Sequence, residues 1–282
     1  MNTKITTLIE DNPSDDARLY NEHGLSLYIE IDEIKILFDT GKSGDFIKNA
    51  ETLNMDLNTL DYVMISHGHY DHSGGFRKLV DKTSNLYKLI VGEGFFNKKY
   101  GAIEGNNYKY LGNSFEEGYI HKNNIAIKYI KQDIFYITEN VMVFTNFKRN
   151  NDFELPNKRF QIKQDEKYLL DDFSDEIVLV LKDKRGLFVV VGCSHVGIVN
   201  ILETIIERTG LPIYGIVGGT HLVEADEQRL NKTIDFLKEK DIKIIGVSHC
   251  TGEKAAEEIK RQFGDEFLYN NTGNIIVSQM MI

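Results

Sequence analysis

Tyr62-Val63-Met64-Ile65-Ser66-His67-Gly68-His69-Tyr70-Asp71-His72 is the stretch on which the reading of this chain turns. Its first five residues form a short apolar run with β-branched members, which predicts a strand, and Gly74-Gly75-Phe76-Arg77-Lys78-Leu79-Val80 behind it turns helical in period. Between the two, His67, His69, Asp71 and His72 place four metal-ligating side chains within six residues. A lone histidine there would read as a helix cap or a solvent-bonded ring. Four ligand-type groups at this spacing read as a metal site. Neutral imidazole suits Zn, Fe and Mn, and a carboxylate adds the negative charge that a second ion requires. A loop at the C-terminal end of a strand is held rigidly while its tip stays accessible, which is where α/β proteins collect catalytic groups.

Working outward, Ile36-Leu37-Phe38-Asp39-Thr40-Gly41 is an apolar strand closed by a carboxylate. Two readings of Asp39 stand side by side: it fixes the tautomer of a ligand histidine through the other ring nitrogen, or it starts a turn and caps the following helix. Strand-like segments near 4–9, 25–31 and 34–39 open the chain as a meander. Further on, three strand-loop-helix units repeat one logic. Leu187 to Val191 runs into Gly192-Cys193-Ser194-His195, and apolar residues then recur at helical spacing toward Arg208. Ile213 to Val217 runs into Gly218-Gly219-Thr220-His221, with a helix at about 226–240. Ile242 to Val247 feeds Ser248-His249-Cys250-Thr251-Gly252, with a helix to about Phe263.

Right-handed connections would bring these strand ends to one edge and gather six of the eight histidines, leaving His23 and His121 unplaced. His195 and His249 are therefore expected as ligands. For His221, ligation, acid catalysis and a structural role stay open; Asp71 and His221 are the candidate catalytic groups. Cys193 reads either as a thiolate ligand or as a small buried side chain. Thr251 and Gly252 either receive a phosphate or carboxylate on their N–H groups or simply initiate a helix.

At 282 residues with 41% hydrophobic content, the chain has room for one large α/β domain or two small ones; a single domain over 1–282 is expected. The stretch near 92–118 lacks a clear period and carries Phe95, Phe96, Tyr100, Tyr108, Tyr110 and Phe115, so it reads as an aromatic-rich insertion. It either lines a pocket for a planar substrate or folds on its own cluster. A polar loop is expected near 148–167. Only two cysteines occur, which excludes a disulfide framework. With no leader-like N-terminus and no apolar run of spanning length, a cytoplasmic protein without membrane contact is expected. The net charge of −10 weighs against a nucleic-acid partner.

The pattern His-x-His-x-Asp-His resembles the signature of the metallo-β-lactamase superfamily, and the strand ending in Asp39 is similar to that family's early strand. The resemblance implies an α/β fold of the αββα kind, a sandwich of two mixed sheets with helices on the outer faces. It implies two divalent ions, Zn first with Mn or Fe as alternatives: His67 and His69 hold one, Asp71 and His72 the other, with Asp39 orienting the loop and His249 similar to the last ligand of the second ion. One departure is visible, because the turn after Val191 has no bridging Asp, and acids including Asp172 stand where a further histidine is usual. Gly-Cys-Ser-His-x-Gly-Ile-x-Asn, Gly-Gly-Thr-His-Leu and Ser-His-Cys-Thr-Gly look like the branch that joins a dihydropterin-methyl group to an aminobenzene-ribose phosphate.

The leading expectation is a dinuclear hydrolase of a small phosphorylated or ester substrate, using a metal-bound water as nucleophile. The alternative is a synthase acting on a pterin-like partner. An iron-holding redox or sensor protein is a weaker third, since di-iron oxygen chemistry usually uses more carboxylates.

Overall fold

The structure is a computed structural model and describes residues 3–84 and 87–277. The chain divides into two compact units, one of Met1–Ile130, Asn157–Asp175 and Asn271–Ile282, the other of Lys131–Pro156 and Glu176–Asn270.

In the first unit a seven-stranded mixed sheet runs in the order β18 (Ile275–Val277), β1 (Thr3–Ile9), β2 (Ser26–Ile31), β3 (Ile34–Phe38), β4 (Tyr62–Met64), β5 (Lys88–Gly92), β8 (Ala126–Ile130). The opening meander pairs antiparallel through β3, as its alternation predicts, and from β3 to β8 the strands are parallel. Parallel pairing of Phe38 with Met64 puts the residues that follow β3 and β4 at the same edge. That is how Asp39 comes to stand beside Ser66 and His67.

Helices α1 (Asp45–Thr52), α2 (Tyr70–Ser73), α3 (Phe76–Lys82) and α4 (Glu117–Lys122) complete this part. Phe46, Phe76 and Leu79 are fully buried in one apolar cluster with Leu37, Val63 and Leu89 of the sheet. Burying each such side chain contributes about 1.5–3 kcal/mol. Asn49, buried on α1, donates to Leu8 O and Tyr20 O and accepts from Tyr20 N, so its amide is satisfied while it staples the segment before β2.

A separate four-stranded antiparallel sheet belongs to the same unit, in the order β12 (Lys167–Leu170), β11 (Phe160–Gln164), β6 (Lys98–Ile103), β7 (Asn107–Tyr110). Here the structure differs from the sequence reading: the stretch near 92–118 contains two strands, and the polar stretch near 148–167 ends in β11. The physical reason is the exposure of these strands. Residues such as Lys98, Tyr108 and Lys167 alternate with little apolar burial, so the period-2 signal is weak.

The second unit holds a mixed sheet in the order β17 (Phe267–Tyr269), β16 (Ile244–Val247), β15 (Ile213–Gly218), β14 (Gly186–Val191), β13 (Val178–Asp183), β10 (Val141–Phe144), β9 (Ile134–Thr138). Strands β14 to β17 are parallel and the others antiparallel. The apolar run Leu187 to Val191 is buried throughout, as expected of a strand covered on both faces. Three helices follow the strands in turn: α5 (Ile198–Thr209), α6 (Glu227–Glu239) and α7 (Glu253–Phe263). On α5, Ile198, Ile201, Leu202 and Ile205 are buried at the i, i+3, i+4, i+7 positions of one face. Among the described residues no helix is long and apolar enough to cross a membrane.

The start of α5 is capped from a distance. Glu154, 2% exposed, accepts from Val199 N at 2.9 Å and Asn200 N at 2.7 Å, and a Cβ on Gly197 would lie 2.4 Å from its carboxyl carbon. Burial pushes the Glu154 carboxyl up, against the lowering by Asn151 and these two amides. Glu154→Ala is expected to cost about 1–3 kcal/mol through the stranded N–H groups, read as a lower urea midpoint. An unchanged midpoint would show that water replaces the cap.

Candidate metal centre

In the first unit His67, His69, Asp71 and His72 are all buried, at 0%, 5%, 7% and 0% exposure. His72 Nδ1 lies 2.6 Å from Asp39 Oδ2, an arrangement that favours the hydrogen on that nitrogen and would leave Nε2 to face a cation. Asp39 also accepts from Ser66 N at 2.6 Å and from Ser66 Oγ at 2.8 Å. It adopts φ 62°, a left-handed conformation that a short polar side chain tolerates. His67 Nδ1 stands 3.0 Å from Ser66 Oγ, which turns Nε2 inward to 3.0 Å from His69 Nδ1. His72 Nε2 and Asp71 Oδ2 are 3.9 Å apart.

These separations fit cations. A tetrahedral ion with nitrogens at 2.0–2.1 Å would hold two of them about 3.3 Å apart. Burial first, then the neighbouring imidazoles of His72 and His69, keep His67 well below the ordinary histidine value, and the neutral ring is the ligating form. The donor set therefore suits divalent metal.

What holds the loop was not legible in the sequence. Lys99, 1% exposed on β6, donates to Asp171 Oδ2 at 2.6 Å and to Asp175 Oδ1 at 2.9 Å. Asp175 Oδ2 in turn accepts from Gly68 N at 2.8 Å, in the middle of the His67 to His72 loop. Gly68 is required, because a Cβ there would sit 2.4 Å from Phe95 O. Phe173 meets the His69 ring edge-on at 5.5 Å, and Phe160 lies 5.4 Å from it. Asp172, singled out from this run of acids, is exposed and caps Ser174 N at 3.0 Å. Its buried neighbours face inward instead. His23 was also unplaced by sequence, yet its Nδ1 is 2.9 Å from Asp11 Oδ2 and its Nε2 3.3 Å from Asp71 Oδ2. A single histidine in a loop gave no signal of that.

The aromatic residues near 92–118 separate into two groups. Phe95 and Phe115 are buried in the core, with Phe96 packed beside them. Tyr108 stacks on Tyr168 at 3.6 Å, and Tyr100 meets Tyr110 and Tyr168 edge-on. The first group thus joins the core of the unit, and the second packs against Tyr168 of β12.

In the second unit the three parallel strand ends carry the remaining candidates. Glu176, buried, accepts from His195 N and Val196 N, both at 2.9 Å, and fixes the turn after β14. Ser194 Oγ donates to Gly219 O at 2.8 Å, and Thr220 donates to Thr251 Oγ1 from its N and its hydroxyl, at 3.2 and 3.0 Å. The rings of His195 and His221 lie 4.4 Å apart. Ser194, His221 and His249 have φ of 59°, 48° and 50°, strained values of the kind that functional sites retain. Burial opposes the charge on His221, but Cys250 and Glu224 raise it to about 9. Against burial, Cys193 and His221 hold the Cys250 thiol well below its usual value.

Thr251 and Gly252, read either as an anion seat or as ordinary helix initiation, lie in the turn that leads into α7. Thr251 N donates to Ser248 O at 3.1 Å and Gly252 N to His249 O at 3.4 Å, because a short 3-10 turn intervenes before α7 begins at Glu253. Both N–H groups are used within the turn, and the first residue of the helix is acidic.

The chain belongs to the metallo-beta-lactamase superfamily, whose family profile matches residues 20–184. Its mixed α/β architecture is that of the superfamily. It is 29% identical to 7,8-dihydropterin-6-methyl-4-(beta-D-ribofuranosyl)-aminobenzene-5'-phosphate synthase of Methanocaldococcus jannaschii, over 98% of this chain and 96% of that protein. An uncharacterized protein of the same archaeon is 30% identical, over 92% of this chain and 94% of the relative. Among solved structures, a metal-dependent hydrolase of the beta-lactamase superfamily shares 30% identity at a TM-score of 0.83, covering 97% of this chain and 98% of that one.

Proposed function

We propose that this protein is a dinuclear metal-dependent hydrolase of a small phosphorylated or ester substrate. The observation that carries the reading is the buried loop His67 to His72, with His72 locked by Asp39. His67 and His69 serve one ion, Asp71 and His72 the other, and His195 and His249 complete the sets. The assignment of those last two rests on the superfamily and on the strand-end pattern of the sequence. Zn is the first choice, since imidazole and carboxylate donors suit it, with Mn and Fe accommodated by the same groups. When bound, two such ions lower the pKa of a water toward neutrality and polarise a phosphoryl or carbonyl oxygen. The chain's own part is to keep His67 neutral, orient the ring of His72 and hold the loop still.

The relative named as a synthase supports a second reading, in which the same centre joins a dihydropterin-methyl group to an aminobenzene-ribose phosphate. One assay separates them. A hydrolase turns over a generic phosphodiester with no second partner. A synthase given the dihydropterin-methyl donor as its diphosphate ester would break the C–O bond to pyrophosphate as the new bond to the aminobenzene partner forms, so pyrophosphate would appear only when both partners are present. Turnover of neither, with metal bound, would overturn both readings.

A further inference from the structure

Strands β14, β15 and β16 end side by side in parallel register, Val191 beside Gly218 and Gly218 beside Val247. Just beyond them each turn delivers one donor: Cys193, His221 and Cys250. Their ligand atoms all lie within 4.8 Å of one another. Cys250 Sγ reaches to 3.5 Å from Cys193 O, across the turn of the middle strand. Gly219 makes that crossing possible, since a Cβ there would lie 2.6 Å from Cys250 Sγ and 3.5 Å from Cys193 Cα. Glu224 Oε2 stands 3.6 Å from His221 Nε2, the carboxylate-on-imidazole arrangement that orients a ligating histidine through its other nitrogen.

We propose that Cys193, His221 and Cys250 form a thiolate-rich site for a soft or borderline divalent cation, Zn(II) in the first instance. Three features argue for an ion over simple packing. Two sulfurs and an imidazole converge from three neighbouring strands, a donor set that selects zinc-like metals. A tetrahedral ion with sulfur at 2.3 Å would set the two sulfurs about 3.8 Å apart, inside the observed limit. Two thiolates also neutralise a divalent ion, so the centre adds no net charge to a buried place. The donors all come from the second unit and make His221 a ligand. These three residues are different from the imidazole-carboxylate ligands proposed above, although His221 lies beside His195 and Cys250 follows His249.

The test is spectroscopic. The full chain, stripped with a chelator and reloaded with Co(II) or Cd(II), is expected to show a sulfur-to-metal charge-transfer band. That band should vanish in a Cys193→Ser/Cys250→Ser double variant and persist in His67→Ala. A measurement without variants runs beside it: stoichiometric Zn(II) should slow the reaction of both thiols with a thiol reagent by roughly tenfold or more. Metal-loaded wild type with no such band and unprotected thiols would overturn the proposal. So would a band that survives the double serine change, or a Cys193–Cys250 disulfide in the purified protein. Loss of activity in His67→Ala with the band intact would bear on the catalytic reading alone.

Discussion

Lys99→Met is expected to destabilise the protein by about 3–5 kcal/mol, the range for removing one partner of a buried ion pair. Lys99, Asp171 and Asp175 are each at most 3% exposed, so the substitution leaves two carboxylates buried without their cation. The pH dependence supplies the sign. Burial already raises Asp175 in the intact protein, and losing Lys99 raises it further above the unfolded value of about 4. The deficit should be full above that raised folded-state pKa and shrink as pH falls through it, because protonation removes the buried charge. Urea denaturation at several pH values measures it. A loss under about 1 kcal/mol, or one that does not shrink in acid, would show that water reaches the pair. Since Asp175 also holds Gly68 N, metal affinity should fall with stability. Replacing Lys99 and both acids together by apolar residues of similar volume should restore much of the stability without restoring the tether on Gly68.

Asp39→Asn is expected to weaken metal binding about 10–100-fold while leaving the backbone intact. Asparagine tolerates the φ of 62° at this position, so strain is not the variable. What changes is acceptor count. Asp39 accepts from Ser66 N, Ser66 Oγ and His72 Nδ1 with two oxygens, whereas an amide has one oxygen and presents two donors. If its oxygen serves Ser66 N, its NH2 faces His72 Nδ1 and drives the ring hydrogen onto Nε2, the atom meant for the ion. If its oxygen serves His72, its NH2 confronts Ser66 N–H. Competition with a chromophoric chelator measures the affinity, and wild-type affinity in Asp39→Asn would contradict the orienting role.

The candidate metal-binding loop, and Asp39 behind it, stand out in the sequence because ligand chemistry is local: four donors in six residues announce themselves, and an apolar strand ending in Asp is a short pattern. The strand ends at Val191, Gly218 and Val247 were legible for a similar reason, since parallel buried strands read as β-branched runs. The support beneath the loop was not. Lys99 and its acids are separated by 72 and 76 residues, and a lysine in the Tyr/Lys-rich strand β6 reads as exposed. Likewise, nothing in the local pattern of Glu154 or Glu176 announces the cap on α5 or the hold on His195, because both act on backbone N–H groups far along the chain. The short turn His249–Thr251 escaped notice because a Thr-Gly pair before a helical period looks like ordinary helix initiation.

The measurement closest to the central claim is metal content by elemental analysis after equilibrium dialysis against Zn(II), for wild type, His67→Ala and His249→Ala, each with both thiols blocked. Two equivalents per blocked wild-type chain, falling in both variants together with activity, is the predicted result. Full metal content and full activity in both variants after stripping and reloading would contradict it.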